Sequence, residues 1–183
     1  MFAFINRVWE TFHKKKRQHY IKNLKRNGLV IGQNVEIVDT FFFDPSHCYL
    51  IKIGNNVTIC PGVRLIAHDA STKNFLGYTK LGKIEIKDNC FIGDSTIILP
   101  GVVVGPNAIV GAGSVVTKNV KPNTISAGNP AETIYSLDAY LGKIRKIASQ
   151  KRVFNEDYLI RNLDENKRFE ILNNTEEGIA FIV

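Results

Sequence analysis

From Ile86 onward an aliphatic side chain returns at every sixth residue, at Ile86, Ile92, Ile98, Val104, Val110 and Val116. Neither the 3.6-residue period of a helix nor the two-residue alternation of an ordinary strand produces that interval. Gly follows three of these positions, at Gly93, Gly105 and Gly111, and the fifth place of successive hexads holds Thr96, Val102, Ala108, Ser114 and Val120, all small or apolar. A backbone that makes one short strand and one turn per hexad satisfies this pattern, and it winds into a coiled parallel sheet. Gly at the second place is expected to allow corner backbone angles that a side chain would oppose.

The same pattern opens earlier, at Ile31-Gly32-Gln33-Asn34-Val35. An irregular run containing Phe41-Phe42-Phe43 and Pro45 interrupts it, and it resumes at Ile53-Gly54-Asn55-Asn56-Val57. Three hexads close one triangular turn, so about four turns are predicted, at residues 31–52, 53–70, 86–103 and 104–121. Their inward aliphatics should stack into one column, as in solenoids generally. An insertion of about fifteen residues, 71–85, rich in Lys, Thr and Gly, separates the second turn from the third. So long an excursion from a tight coil reads as a lid or interface loop.

The flanks differ from this middle. Residues 1–28 carry eight Lys or Arg against a single acid, Glu10, while the remaining chain balances sixteen basic with sixteen acidic residues; the formal charge of +7 therefore lies wholly in the first segment. That distribution argues against a nucleic-acid-binding face on the main body. Phe2, Ile5, Trp9 and Phe12 recur at helical spacing before Lys14-Lys15-Lys16-Arg17, and Tyr20, Ile21 and Leu24 continue the face until Gly28. The segment is too short and too charged to span a bilayer. It reads as a basic amphipathic helix that caps the coil, with peripheral contact to an anionic membrane as the sharper alternative.

At the other end, Leu137, Tyr140, Leu141, Ile144 and Ile147 form a helical stripe. A second helix within 154–172 and a short strand at 179–183 are expected in the same extension. The organisation is thus 1–28, a coiled domain at 29–134, and a helical extension at 135–183. Cys48, Cys60 and Cys90 are odd in number and lack CxxC spacing, so they read as reduced thiols of a cytoplasmic protein.

Three stretches together carry a family resemblance: the hexads, Ala67-His68-Asp69-Ala70-Ser71-Thr72-Lys73, and the run from Ile109-Val110-Gly111-Ala112-Gly113-Ser114 through Thr117-Lys118 to Gly128-Asn129-Pro130-Ala131. Over residues 30–135 the chain resembles the hexapeptide-repeat acyltransferases, most closely the capsule, O-antigen and exopolysaccharide O-acetyltransferases related to galactoside and maltose acetyltransferases. The resemblance implies a mainly β fold, a left-handed parallel β-helix, against the usual right-handed crossover of parallel strands. It also implies a homotrimer, acetyl-CoA as co-substrate in a groove between coils, and a sugar or oligosaccharide acceptor. The inner face of the membrane is the alternative location if the basic segment binds lipid.

The chemistry can be argued beside the resemblance. An acetyl thioester is already activated, so transfer requires mainly that the attacking hydroxyl lose its proton, and histidine suits that task. Of His13, His19, His47 and His68, only His68 matches the catalytic position of the family. A base needs an orienting carboxylate; Asp69 ranks first because it is adjacent, although strand neighbours point to opposite faces, and Asp94, Asp44 or a backbone carbonyl are alternatives. The motif places Phe91, Asp94, Gly111, Ala112, Thr117 and Lys118 along the cofactor groove, with Lys118 as a point charge for a phosphate. Asp94 departs from the small residue usual at its position, and Glu132 stands where relatives carry Arg or Lys. No metal is expected, since a β-helical carbonic anhydrase needs three His ligands and His68 has no other His at a suitable interval. The competing functions are an aminosugar N-acetyltransferase and a non-enzymatic β-helical scaffold.

Overall fold

In the computed structural model, which describes residues 15–176 and 178–183, the six-residue period becomes three parallel sheets wrapped around one column of side chains. The apolar positions Phe2, Ile5, Trp9 and Phe12 lie outside the described residues. Residues 15–26 are helical (α1). The first turn then runs β1 (Val30–Ile31), β2 (Glu36–Ile37) and β3 (Phe42–Phe43), and the second runs β4 (Ile51–Ile53), β5 (Thr58–Ile59) and β6 (Arg64–Leu65). An excursion follows, in which β7 (His68–Asp69) pairs antiparallel with β8 (Lys80–Leu81) around a single turn of helix, α2 (Lys73–Leu76). The coil resumes with β9 (Ile84–Ile86), β10 (Phe91–Ile92) and β11 (Ile97–Ile98), then β12 (Val103–Val104), β13 (Ile109–Val110) and β14 (Val115–Val116).

The first sheet is ordered β1-β4-β9-β12, the second β2-β5-β10-β13, and the third β3-β6-β11-β14, all parallel. The aliphatics six apart point inward. Ile86, Ile92, Ile98, Val104, Val110 and Val116 are all buried, as are Thr96, Val102, Ala108, Ser114 and Val120 at the fifth place. Every hexad thus contributes two side chains to the column. At roughly 25 cal/mol per Å² of apolar surface removed from water, this shared column is the main stabilising term.

The corners work differently from the expectation for glycine. At one corner left-handed backbone falls on asparagine, at Asn34, Asn56, Asn89, Asn107 and Asn123, with φ between 52° and 58°, and elsewhere on residues such as Gly62, Ser95, Gly101 and Gly113 rather than on the second-place glycines. The five asparagines lie above one another at the corner between the first and second sheets, and each amide donates to the next carbonyl, Asn34 to Asn56, Asn56 to Asn89, Asn89 to Asn107 and Asn107 to Asn123, at 2.9–3.1 Å. Second-place glycine answers a steric demand instead. A Cβ on Gly93 would stand 2.5 Å from the Ala112 nitrogen in the next turn.

Register locates the two breaks in the period. Between the third and fourth turns Ile98 pairs with Val116, 18 residues on. Between the second and third, Leu65 pairs with Ile98, 33 residues on, so the excursion adds fifteen. Phe43 pairs with Leu65, 22 residues on, so a smaller insertion of four lies between β3 and β4, where Cys48–Leu50 form a 3-10 turn. Both insertions leave the coil at the same corner, after a strand of the third sheet and in neighbouring turns.

Above the fourth turn the chain forms a hairpin that the hexad count does not foresee. β15 (Thr124–Gly128) extends the second sheet in parallel, and β16 (Ala131–Ser136) returns antiparallel through a cis Asn129–Pro130 bond. The expected boundary at 134/135 falls inside β16. The chain instead divides into compact units at 1–137 and 138–183. In the second unit, α3 (Leu137–Ala148) begins at the last residue of the first; β17 (Val153–Phe154) pairs in parallel with β18 (Phe181–Ile182), and α4 (Glu165–Thr175) lies between them in sequence. Asp164 caps α4 by accepting the Lys167 amide at 2.8 Å.

Candidate active site

The two insertions meet. Asp44 opens the smaller one and is fully buried, while His68 opens the larger and is about one-third exposed. The Nδ1–H of His68 donates to Oδ2 of Asp44. The same oxygen accepts the Ala67 amide at 3.1 Å, and Oδ1 accepts the amides of Ser46 and His47 at 3.2 and 3.3 Å. Burial by itself opposes ionisation of Asp44, but the His68 hydrogen bond and charge, with the Ala67 and His47 amides, outweigh it and hold the carboxyl below the usual aspartate range. Asp44 is therefore a fixed anion. It keeps the His68 proton on Nδ1 and leaves Nε2 with its lone pair, the state a general base needs.

Asp69 does not perform this task. Its side chain turns along the loop and accepts the Ser71 amide at 2.9 Å, and that bond, helped by Lys80 and His68, holds its own pKa low. Successive strand residues point to opposite faces, so adjacency in sequence separates His68 and Asp69 in space. The carboxylate that reaches His68 lies 24 residues earlier, brought there by stacking of turns.

The sequence also gave no reason to join His47 with His68. In the fold their rings lie 4.7 Å apart between centroids, and His47 Nδ1 stands 3.8 Å from Asp44 Oδ1. The expectation that His68 has no neighbouring His holds for the sequence interval and fails in space. A four-residue break before β4, at the corner where the larger break also occurs, was the available signal.

The residues assigned to the cofactor groove fall at three places. Phe91 is an outward residue of β10, with 43% of its surface exposed. Asp94, Gly111 and Ala112 share the corner between the second and third sheets, where the Gly113 amide donates to the Asp94 carbonyl at 2.7 Å and Asp94 Oδ2 accepts Ser95 Oγ at 2.7 Å. Thr117 and Lys118 follow β14, at the corner that His68 occupies two turns earlier. Lys118 Nζ lies 3.9 Å from Glu132, both side chains being exposed.

A coil of parallel strands built on a six-residue period is the fold of hexapeptide-repeat proteins. A family model described as "Bacterial transferase hexapeptide (six repeats)" matches residues 83–118. Over 169 residues the chain is 40% identical to protein CapG of Staphylococcus aureus, an alignment that covers 81% of this chain and 96% of CapG. The chain belongs to the hexapeptide-repeat acyltransferase family, whose coils are left-handed. It is also 39% identical over 116 residues to galactoside O-acetyltransferase of Escherichia coli K12, covering 58% of this chain and 56% of that protein, so the match spans about half of that relative. Among solved structures, a maltose O-acetyltransferase from Clostridium difficile 630 superposes with a TM-score of 0.50 at 26% identity, covering 68% of this chain and 88% of that one.

Proposed function

We propose that this protein transfers an acetyl group from acetyl-CoA to a hydroxyl of a bacterial surface polysaccharide or its precursor. The observation that carries the reading is the buried Asp44 carboxylate on His68 Nδ1. Nε2 of His68 takes the proton of the acceptor hydroxyl as its oxygen attacks the thioester carbonyl. Collapse of the tetrahedral intermediate breaks the carbon–sulfur bond, and the imidazolium returns the proton to the departing CoA sulfur. Asp44 compensates the transient charge on His68.

A sugar acceptor is supported by two relatives, a galactoside and a maltose O-acetyltransferase. The polysaccharide class rests on the sequence resemblance to capsule and exopolysaccharide enzymes. Phe91, Asp94, Gly111, Ala112, Thr117 and Lys118 are the proposed lining of the CoA groove, and Lys118 would exchange its contact with Glu132 for a phosphate. Asp69 supports the loop that frames the acceptor side.

The assembly inferred on the same basis is a homotrimer. Phe75, Leu76, Tyr78 and Leu81 on the excursion are more than half exposed and supply apolar surface for a second copy to cover; a monomeric mass by light scattering would overturn that part. Among the described residues no helix is long and apolar enough to cross a membrane. Leu24 of α1 is buried in the core, as a capping role requires.

The function is tested by thiol release from acetyl-CoA with oligosaccharide, aminosugar or no acceptor. Turnover should require the oligosaccharide, and His68→Ala should lower it by roughly 100- to 10,000-fold without altering circular dichroism. Full turnover in a folded His68→Ala variant would sink the mechanism, and preference for the aminosugar would move the activity to N-acetylation.

A further inference from the structure

We propose that Asp44, His47 and His68 form a binding site for a divalent transition-metal cation of the zinc class, and that filling it switches the base off. Three observations carry this. The ligand atoms of the three residues all lie within 4.8 Å of one another. His47 Nδ1 is shielded from solvent and has no hydrogen-bond partner, yet it points toward the Asp44 carboxylate at 3.8 Å, too far for a hydrogen bond and suited to an intervening ion. The donor set of two imidazoles and one carboxylate is the kind zinc prefers, with a fourth position left for water.

The distances need a small change in both directions: His47 must draw in from 3.8 Å, and His68, now in direct hydrogen bond with Asp44, must back away. Tetrahedral ligands about 2.0–2.1 Å from zinc stand roughly 3.3 Å apart. Asp44 is the fixed point, since the amides of Ser46, His47 and Ala67 hold both of its oxygens. Those amides would remain as outer contacts that orient the carboxylate. The two imidazoles are the movable parts, with side chains 24% and 35% exposed for His47 and His68, and their open edges give the cation its way in.

The consequence for catalysis follows from imidazole chemistry and rests on the function proposed above. A cation on Nδ1 of His68 takes that nitrogen's lone pair, so the single proton of the neutral ring, now shared with Asp44, must move through solvent from Nδ1 to Nε2 with no net release. Nε2 then has no free lone pair and cannot accept the hydroxyl proton. Metal occupancy and general-base function therefore exclude each other, and the expected inhibition appears in kcat rather than in KM for acetyl-CoA.

The experiment uses the intact protein after chelator treatment, titrated with Co²⁺ and followed by visible d–d absorption, with Zn²⁺ as competitor. A Cys60→Ser variant controls for the partly exposed thiol. The expected result is one Co²⁺ per chain at tetrahedral intensity, unchanged in Cys60→Ser. In His47→Phe, which keeps an aromatic ring beside His68, affinity should weaken by more than ~100-fold, beyond what loss of an outer contact produces. No stoichiometric cobalt spectrum, loss of binding in Cys60→Ser, or equal binding in His47→Phe would each overturn the site. Zn²⁺ should likewise suppress turnover of the wild type and not that of His47→Phe, each read against its own metal-free rate. Tight binding of Zn²⁺ with undiminished turnover would leave the metal site standing and remove His68 as the base, so the two readings fail separately.

Discussion

Asp44 and Asp69 are both ionised aspartates close to His68 in sequence or in space, yet their surroundings give them different work. Asp44→Asn presents an amide to Nδ1 of His68, favours the wrong tautomer, and should reduce turnover by roughly 1,000-fold or more. Asp69→Asn keeps the turn to Ser71 and should cost less than about tenfold. Comparison of kcat for the two folded variants decides between them; equal losses would mean that Asp44 is not the orienting group. Acid stability gives a second check on Asp44. The pKa of Asp44 is depressed, so its stabilisation is complete above the ordinary aspartate value of 3.8 and disappears as pH falls through the lower folded value. Asp44→Asn should flatten that loss in an acid unfolding curve. His68 was legible in the sequence because it stands beside a recognisable motif, whereas Asp44 was one of several carboxylates. Its selection depends on stacking register, which no local pattern expresses.

At the scale of the corner, asparagine carries a demand first assigned to glycine. Asn89 holds φ at 58°, donates its amide to Asn107 and accepts from Asn56, so it links three turns. Asn89→Ala breaks both links and forces a Cβ into the left-handed region without local compensation. A loss of about 1–2 kcal/mol is expected in urea unfolding. Asn89→Gly removes the same amide but not the backbone freedom and should cost roughly half as much. Equal costs would show that the ladder, rather than the backbone angle, carries the stability. The inward positions were readable because burial imposes one residue type at a fixed interval. The asparagines were visible only as turn formers, since side-chain links between turns follow from the stack. The β15–β16 hairpin was missed for a related reason: once the period stops, partners are chosen by the free edge of the second sheet rather than by an internal repeat.

A coil of this kind has open ends, and each turn is held chiefly by its neighbours. The six-residue period therefore fixes the middle of the molecule better than its termini. At the first end α1 supplies the missing neighbour: Leu24 is 2% exposed in the shared core, and the Cys48 thiol donates toward the carbonyls of Leu24 and Asn27, each at 3.5 Å. Leu24→Ala should cost about 2–4 kcal/mol, and the loosening should be uneven. Cys48 lies beside the cap in the insertion that holds Asp44 and His47, Cys90 is buried in the third turn, and Cys60 is partly exposed. Thiol labelling under native conditions can follow the three separately by mass spectrometry of peptides. In the wild type Cys60 should react first, with Cys48 and Cys90 both protected. In Leu24→Ala labelling of Cys48 should accelerate while Cys90 stays slow, because opening begins at the uncapped end. Equal acceleration at Cys48 and Cys90 would mean that the stack opens as one cooperative body, and that the cap stabilises every turn alike.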